Sequence, residues 1–290
     1  MKKPKVLLIG ASSLIGSHIY RALVESDYQV TGTYFSCRSR ELSHLDVTDS
    51  EQLVRFVNES DLIINCSALA GREKCDRNPE MAMALNVRGT FNIAYQCRLK
   101  KKRLIQFSSA SVLNDSKTLP HSESENPDSI LGDEYNQTKG ICERIVESLV
   151  DDLTLIRLTY TYGVKSDDCQ KLGGDLFRTT YERLRDGEEV MAYDKTPTNP
   201  TYLPDIGRAL LKIISSDYGG RINLGGEQVE IVKFFEMIKK TFRLAGNVRI
   251  GSSSINRALD LSKMHQLGIH MNNLNQGLES LLELAPYLRL

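Results

Sequence analysis

The chain has 290 residues, 41% hydrophobic and 26% charged, a composition that excludes wholesale disorder and allows a large core. Basic and acidic residues number 37 each, and this zero net charge argues against nucleic acid as a partner. The sequence has neither the roughly 18 consecutive apolar residues of a membrane helix nor the apolar region of a signal peptide. We therefore expect a cytoplasmic protein that does not bind membranes.

The first half of the chain alternates short apolar runs, typical of strands buried on both faces, with segments of helical periodicity. The predicted strands are residues 5–10, 29–34, 42–46, 62–66, 104–107 and 153–159. The predicted helices are residues 14–26, 49–58, 79–100 and 135–150. This alternation predicts right-handed crossovers and an α/β fold, a doubly wound parallel sheet of the Rossmann type.

The pattern loosens beyond about residue 160. Helices are predicted at residues 173–186, 205–216 and 230–244, separated by the irregular stretches 163–172, 191–204 and 245–256. We predict a dinucleotide-binding domain over residues 1–162. Residues 163–290 are predicted to form a smaller, mixed substrate-binding lobe, with some segments returning to the sheet. Open α/β sheets bind ligands at their carboxyl edge, and we expect the lobe to lie there.

The first predicted strand runs directly into a glycine-containing turn and a helix, Gly10-Ala11-Ser12-Ser13-Leu14-Ile15-Gly16. Glycines at its two ends allow a tight reversal and close helix–strand packing, and the amides at the helix start favour a pyrophosphate. Ser13 replaces the usual middle glycine, and we expect it to cap the helix while its hydroxyl faces phosphate. We assign Gly10, Ser12, Ser13, Leu14, Ile15 and Gly16 to cofactor binding. An ordinary serine-capped turn is the alternative.

The end of the second predicted strand bears on the choice of cofactor. Folds that bind NAD usually carry an acidic residue there, but residues 33–36 contain none, and Arg38 and Arg40 follow. Arginines at this position can pair with a 2′-phosphate, which favours NADP over NAD; a solvated basic loop is the alternative. Asp46 and Val47, after the short third strand, are also assigned to the cofactor site.

Two sets of polar residues are candidates for catalysis. Tyr135 and Lys139 are four residues apart at a predicted helix start, so both side chains can address one ligand, and the ammonium should lower the tyrosine pKa. The serines of residues 108–111 leave a buried strand at the carboxyl edge, where a hydroxyl can hydrogen-bond a substrate carbonyl. The five histidines show no metal-ligand spacing, and the six cysteines contain no CxxC pair. We therefore expect no metal and reduced thiols.

Together these motifs resemble the extended branch of the short-chain dehydrogenase/reductase family over nearly the whole chain. The same order is found there: a glycine-rich loop, a strand end like residues 65–68, an asparagine like Asn86, a Ser-Ser strand end and Tyr-x-x-x-Lys. The resemblance implies that Ser109 is the catalytic hydroxyl and Tyr135 the acid–base. It also implies that Lys139 tunes Tyr135 and holds the nicotinamide ribose, and that Ala68 lines the adenosine side.

Later segments, residues 158–163, 199–206 and 257–263, are similar to those of dTDP-4-dehydrorhamnose reductases and the methionine adenosyltransferase beta subunit. The resemblance implies an NAD(P)-dependent reductase of a keto-sugar, nucleotide-linked. Separately, we expect the protein to form homodimers. Ala110 and Ser111 depart from the aspartate and aromatic residue usual in these reductases. A non-catalytic NADP-binding regulatory subunit and a nucleotide-sugar epimerase therefore remain alternatives. A 4,6-dehydratase is disfavoured, because residues 110 and 111 offer no carboxylate.

Overall fold

The fold is defined by a computed structural model that describes residues 3–113, 120–128, 132–166, 172–252 and 255–284. Its amino-terminal elements are β1 (Val6–Ile9), α1 (Leu14–Glu25), β2 (Val30–Tyr34), β3 (Ser43–His44), α2 (Ser50–Asn58), β4 (Leu62–Asn65), α3 (Arg72–Arg77), α4 (Pro79–Ala82), a π-helical turn (Met83–Arg88), α5 (Gly89–Lys100), β5 (Arg103–Ser109), a 3₁₀ turn (Ala110–Val112), α6 (Glu134–Leu149) and β6 (Leu153–Leu158).

The carboxyl-terminal elements follow in the same way. They are β7 (Thr161–Val164), β8 (Leu172–Gly173), α7 (Asp175–Arg185), β9 (Glu189–Tyr193), β10 (Pro197–Thr198), β11 (Thr201–Tyr202), α8 (Leu203–Ser215), β12 (Gly220–Leu224), β13 (Val229–Glu230), α9 (Ile231–Phe242), β14 (Asn247–Gly251), α10 (Ser262–Gln266) and α11 (Leu274–Leu284). No helix in the described ranges is both long and apolar enough to cross a membrane.

Seven of the described strands form one parallel sheet in the order β12-β6-β5-β4-β1-β2-β3. The chain winds outward from β1 in one direction and from β4 in the other, so the crevice between their carboxyl ends is a topological switch point. Consecutive residues of a strand face opposite sides of the sheet. Thus Leu8 packs in the core beneath α1 and α8, whereas Leu7 and Ile9 pack in the core beneath α2, α5 and α6. The predicted doubly wound parallel sheet is confirmed.

A second core lies outside the sheet. It is built from β7, α7, β9, β11, α9 and α11 around the buried rings of Tyr162, Phe177 and Phe234. The ring centroids of Tyr162 lie 6.0 Å from those of Phe177 and 5.6 Å from those of Phe234. Helix α8 joins this core to the sheet, because its apolar face packs on α1 and its amino terminus packs on β7.

Short strands after residue 160 were not predicted. Residues 191–204 and 245–256 were expected to be irregular, but β9 and β14 pair in parallel from Glu189–Asn247 to Tyr193–Gly251. β12 joins the main sheet beside β6. These strands are at most five residues long, and Arg221 and Asn223 interrupt the apolar character of β12, so no continuous apolar run marks them.

Candidate functional site

The residues assigned to cofactor binding and chemistry follow the carboxyl ends of neighbouring strands. Gly10 follows β1, Ala68 follows β4, and Ser109 ends β5; Tyr135 opens helix α6, which packs on β5. Since β1, β4 and β5 are parallel and adjacent, these groups converge on one edge of the sheet, at the switch point.

Glycine is required at both ends of the loop after β1. Gly10 has a φ of +78°, and a Cβ there would lie 2.9 Å from the backbone nitrogen of Ser67. A Cβ on Gly16 would lie only 2.1 Å from the carbonyl oxygen of Gly10. Any side chain at either position would displace backbone, so the loop is closed tightly by the two glycines.

Ser13 caps helix α1, as predicted: its Oγ accepts from the Gly16 amide at 3.0 Å. The Ser13 amide donates to the Gly10 carbonyl at 2.9 Å, and the Ser12 amide donates to the Thr33 carbonyl at 3.4 Å. The Leu14 and Ile15 amides at the start of α1 have no hydrogen-bond acceptor among the described residues. Two free amides, a serine hydroxyl proton and the helix dipole suit a pyrophosphate, so this loop fits the phosphates of a dinucleotide cofactor.

The other predicted cofactor residues follow the strands β2, β3 and β4. Arg38 and Arg40 are exposed after β2, and neither forms a salt bridge or hydrogen bond with a described residue. Ala68 is exposed at the edge of the sheet. Asp46 is committed to a local turn, since its Oδ1 accepts from the amide and hydroxyl of Thr48 at 2.8 and 2.7 Å. The Val47 side chain is buried. Cofactor contact by these residues stays a prediction.

Ser109 and Tyr135 meet at the edge of the sheet. Ser109 is the last residue of β5, and its Oγ lies 2.8 Å from the Oγ of Ser111 and accepts from the Ser111 amide at 3.2 Å. Burial raises the pKa of Tyr135 to about 12 and outweighs the effect of the nearby Ser109 side chain, which lowers it. The half-buried phenol is therefore protonated at neutral pH and can serve as a proton donor.

Lys139 lies one helical turn after Tyr135 on α6. Its side chain is buried, and its Nζ donates to the carbonyl oxygen of Phe107 at 2.7 Å. The largest effects on the pKa of Tyr135 come from burial and from the Ser109 side chain. That Lys139 lowers the Tyr135 pKa stays a prediction, because i, i+4 spacing brings side chains onto one face without fixing where each polar end lies.

Asn86 is a further polar residue that organises the site. It is buried in the π-helical turn, where its Oδ1 accepts from the Leu69 amide at 2.7 Å. Its Nδ2 donates to the Leu69 carbonyl and to the Oγ1 of Thr138, both at 3.2 Å. Asn86 thereby ties the loop after β4 to the helix that carries Tyr135 and Lys139. Sequence periodicity predicted one helix here and gave no sign of the π turn.

A buried ion pair between Glu143 and Arg157 was also missed. Two features of the sequence point to it: Glu143 lies four residues after Lys139, and Arg157 is the one charged residue of β6. Among the described residues, no group of three or more His, Cys, Asp or Glu side chains is placed to hold a metal ion.

Comparison with known proteins gives relatives along most of the chain. The probable low-salt glycan biosynthesis reductase Agl14 of Haloferax volcanii is 26% identical over 260 residues, covering 87% of this chain and 84% of that protein. The dTDP-4-dehydrorhamnose reductase of Mycolicibacterium smegmatis is 27% identical over 246 residues, covering 83% and 69%. The methionine adenosyltransferase 2 subunit beta of Xenopus tropicalis is 24% identical over 212 residues, covering 72% and 61%.

Solved structures share the fold. A Bacillus anthracis dTDP-4-dehydrorhamnose reductase in complex with NADP superposes with a TM-score of 0.81 at 20% identity, covering 97% of this chain and 99% of that one. A Thermotoga maritima UDP-glucose 4-epimerase with UDP-glucose gives a TM-score of 0.82 at 20% identity, covering 98% and 99%. At these identities the likeness concerns architecture and does not separate reductase from epimerase.

The family itself is shown by the sequence. The model of the RmlD substrate binding domain matches residues 4–226, which include the glycine loop, Ser109, Tyr135 and Lys139. With this match and the sheet order described above, the chain belongs to the RmlD substrate-binding-domain family of extended short-chain dehydrogenases/reductases.

Proposed function

We propose that this protein is an oxidoreductase that uses NADPH to reduce the carbonyl of a nucleotide-linked keto-sugar. The observation that carries the proposal is the protonated Tyr135, placed with Ser109 on the sheet edge that also holds the glycine loop. The names of the relatives from Haloferax volcanii and Mycolicibacterium smegmatis, both reductases, support the same class of reaction.

Each residue of the site has its own role in the proposed reaction. The glycine loop and Ser13 would hold the pyrophosphate of the cofactor, which supplies the hydride when bound. Ser109 would donate a hydrogen bond to the substrate carbonyl oxygen, fixing it beside Tyr135. The phenol of Tyr135 would then give its proton to that oxygen as negative charge develops on it. Lys139 is buried, and its Nζ is oriented by the hydrogen bond to the Phe107 carbonyl. The remaining Nζ protons would donate to a ribose hydroxyl of the cofactor.

We expect a preference for NADPH over NADH that depends on Arg38 and Arg40. Both guanidinium groups are exposed without a described ion-pair partner, so they are free to bind a 2′-phosphate. Charge-assisted hydrogen bonds contribute about 1.5–3 kcal/mol, which predicts at least a roughly tenfold preference. Calorimetric titration of both cofactors at one salt concentration measures it, and Arg38→Ala with Arg40→Ala should abolish it.

Arg98→Ala is the matched control, since this exposed arginine lies in the last turn of α5, at the opposite edge of the sheet. The control should keep the preference. Equal affinities for NADPH and NADH in the wild type, unchanged in the double variant, would mean that the basic segment is merely solvated.

Turnover tests the proposed function directly. Purified protein is incubated with NADPH and a panel of nucleotide-linked 4-keto- and 3-keto-sugars, and the loss of nicotinamide absorbance is followed. We expect oxidation of NADPH that requires one of the sugars and is stoichiometric with the reduced sugar. If NADPH binds but no sugar in the panel is reduced, the reductase proposal fails.

A non-catalytic regulatory subunit is the second candidate. It is favoured by the match to a methionine adenosyltransferase subunit and by Ala110 and Ser111, which line the turn after Ser109. The intact set of Ser109, Tyr135 and Lys139 argues for catalysis instead. Binding of NADPH without turnover, together with a change in a partner enzyme's activity, would favour the regulatory role.

We also propose a homodimer that forms through α5. Phe91, Tyr95 and Leu99 follow one another at i, i+4 spacing and are 45%, 43% and 55% exposed, and the rings of Phe91 and Tyr95 stack with centroids 5.9 Å apart. Apolar side chains that recur on one helix face suit burial against a second copy. Sedimentation equilibrium should give a dimer that Phe91→Glu converts to monomer, and a monomeric wild type would contradict this.

We propose a cytoplasmic location as well. Cys37, Cys66, Cys75, Cys97 and Cys142 are free thiols in the structure, as expected in a reducing compartment. Cell fractionation tests the location, and recovery of the protein in a membrane or secreted fraction would contradict it.

A further inference from the structure

The ion pair between Glu143 of α6 and Arg157 of β6 lies in the protein interior. Both side chains are fully buried, and the contact is bidentate: Nε of Arg157 donates to Oε1 of Glu143 at 3.1 Å, and Nη2 donates to Oε2 at 2.6 Å. Nη2 also donates to the Glu125 carbonyl at 2.8 Å. The pair therefore connects the catalytic helix, the strand beside β5 and the segment between Ser109 and Tyr135.

This pair is a poor means of stabilising the fold. Removing two charges from water is costly, and a buried ion pair can often be replaced by apolar side chains without loss of stability. The Nη1 atom of Arg157 is buried without a hydrogen-bond partner among the described residues, which adds a further cost. A buried ion pair with a high desolvation cost at this position points to a role other than stability.

The position of Glu143 suggests that role. It lies one helical turn after Lys139 on α6, so the two side chains share a face of the helix. Lys139 is 5% exposed, and burial lowers its pKa, while the negative charge of Glu143 acts in the opposite direction. Arg157 donates to both oxygens of Glu143, which fixes the carboxylate on the helix face that it shares with Lys139.

The other titratable groups with large effects on the Lys139 pKa are three thiols: Cys142 on its own helix, Cys66 after β4 and Cys75 on α3. Burial raises the pKa of each of these thiols, so they are neutral near pH 7. Among these four groups Glu143 is thus the one carboxylate, and it is ion-paired with Arg157.

We propose that Glu143, held by Arg157, is a positioning residue that keeps Lys139 charged and directed toward the cofactor. The inference rests on the proposed function in one respect, namely that Lys139 contacts the bound dinucleotide. It assigns a functional role to two residues that contact neither cofactor nor substrate.

The chain supplies a matched control one turn further along α6. Glu147 pairs with Arg221 of β12 through the same two-point contact, and Nη2 of Arg221 donates to Oε2 at 2.7 Å. Like Arg157, Arg221 also donates to the Glu125 carbonyl, here at 3.1 Å. Glu147 lies one helical turn further from Lys139 than Glu143 does. The two pairs therefore differ in burial and in their proximity to the lysine.

The test is the pH dependence of NADPH binding, followed by the fluorescence of the reduced nicotinamide. Glu143→Gln removes the charge and keeps the shape of the side chain, so Lys139 should lose its proton at lower pH. We expect the alkaline loss of affinity to move down by about 1 pH unit or more. Glu147→Gln should keep the wild-type profile.

Glu143→Gln leaves Arg157 buried without a counter-charge and can lower stability for that reason alone. The double variant Glu143→Leu with Arg157→Met removes both charges and restores an apolar interior. We expect it to regain thermal stability but keep the shifted pH profile. A wild-type pH profile in the folded double variant would show that the pair is only structural and would overturn the proposal.

Binding and turnover separate this inference from the proposed function. If the wild type binds NADPH with the expected pH profile but reduces no sugar, the reductase proposal fails while the role of Glu143 stands. If the wild type reduces a sugar and the profile of both variants is unchanged, the role of Glu143 fails alone. A wild type that binds no NADPH contradicts both.

Discussion

Replacing Tyr135 with phenylalanine should lower the turnover number for keto-sugar reduction by about 10²–10⁴, the usual contribution of a positioned general acid. The change removes only the phenolic oxygen. Burial raises the pKa of Tyr135 to about 12, so the wild-type group is protonated throughout the neutral range and the variant loses a proton donor, not a base. Steady-state kinetics with the substrate found in the sugar panel measure the effect.

Binding and stability should change little in this variant. The ring remains in place, and the loss of even one neutral hydrogen bond costs only about 1 kcal/mol. Tyr193→Phe serves as the control, because Tyr193 is an exposed tyrosine of β9 in the second core region. Turnover within a factor of two of the wild type in Tyr135→Phe would remove this residue from the mechanism.

Lys139→Met should weaken NADPH binding by roughly tenfold or more and lower turnover as well. Hydrogen bonds from charged donors contribute about 1.5–3 kcal/mol, and methionine keeps most of the buried aliphatic stem while removing the ammonium. The Phe107 carbonyl loses the donor at 2.7 Å but keeps the Nε2 of Gln106 at 3.0 Å, so the end of β5 retains a partner.

Calorimetry with NADPH and single-turnover kinetics together test the role of Lys139. Lys139 is predicted to act on the cofactor ribose and on the Tyr135 pKa, and the two effects appear in different measurements. Loss of the contact with the cofactor should appear in the dissociation constant. Unchanged affinity with reduced turnover would show that Lys139 acts on the reaction and not on the cofactor.

Much of the sheet could be predicted because its strands are buried on both faces. Residues 6–9, 62–65 and 153–158 are continuous buried runs that leave a clear apolar signal. β9 alternates buried and exposed residues over only five positions, and β12 carries Asn223, whose buried Nδ2 donates to the His121 carbonyl at 2.9 Å. Such strands depend on distant partners, which local sequence patterns do not contain.

Within the site, the sequence predicted residue types and their order better than their polar contacts. The Ser13 cap follows from local geometry and is confirmed. The direction of the Lys139 ammonium, the clamp made by Asn86 and the pair of Glu143 with Arg157 all depend on which elements pack together. These contacts require α6, β5 and β6 to pack side by side, and a local sequence pattern does not contain that packing.

Transfer of deuterium tests the central claim, that this sheet edge reduces a sugar carbonyl. The wild-type protein is incubated with a keto-sugar substrate and NADPH deuterated at C4 of the nicotinamide, and the product is analysed by mass spectrometry. We predict one deuterium on the new carbinol carbon from one face of the nicotinamide only, and little product with Tyr135→Phe. A product without deuterium, or equal labelling and yield with Tyr135→Phe, would contradict the account.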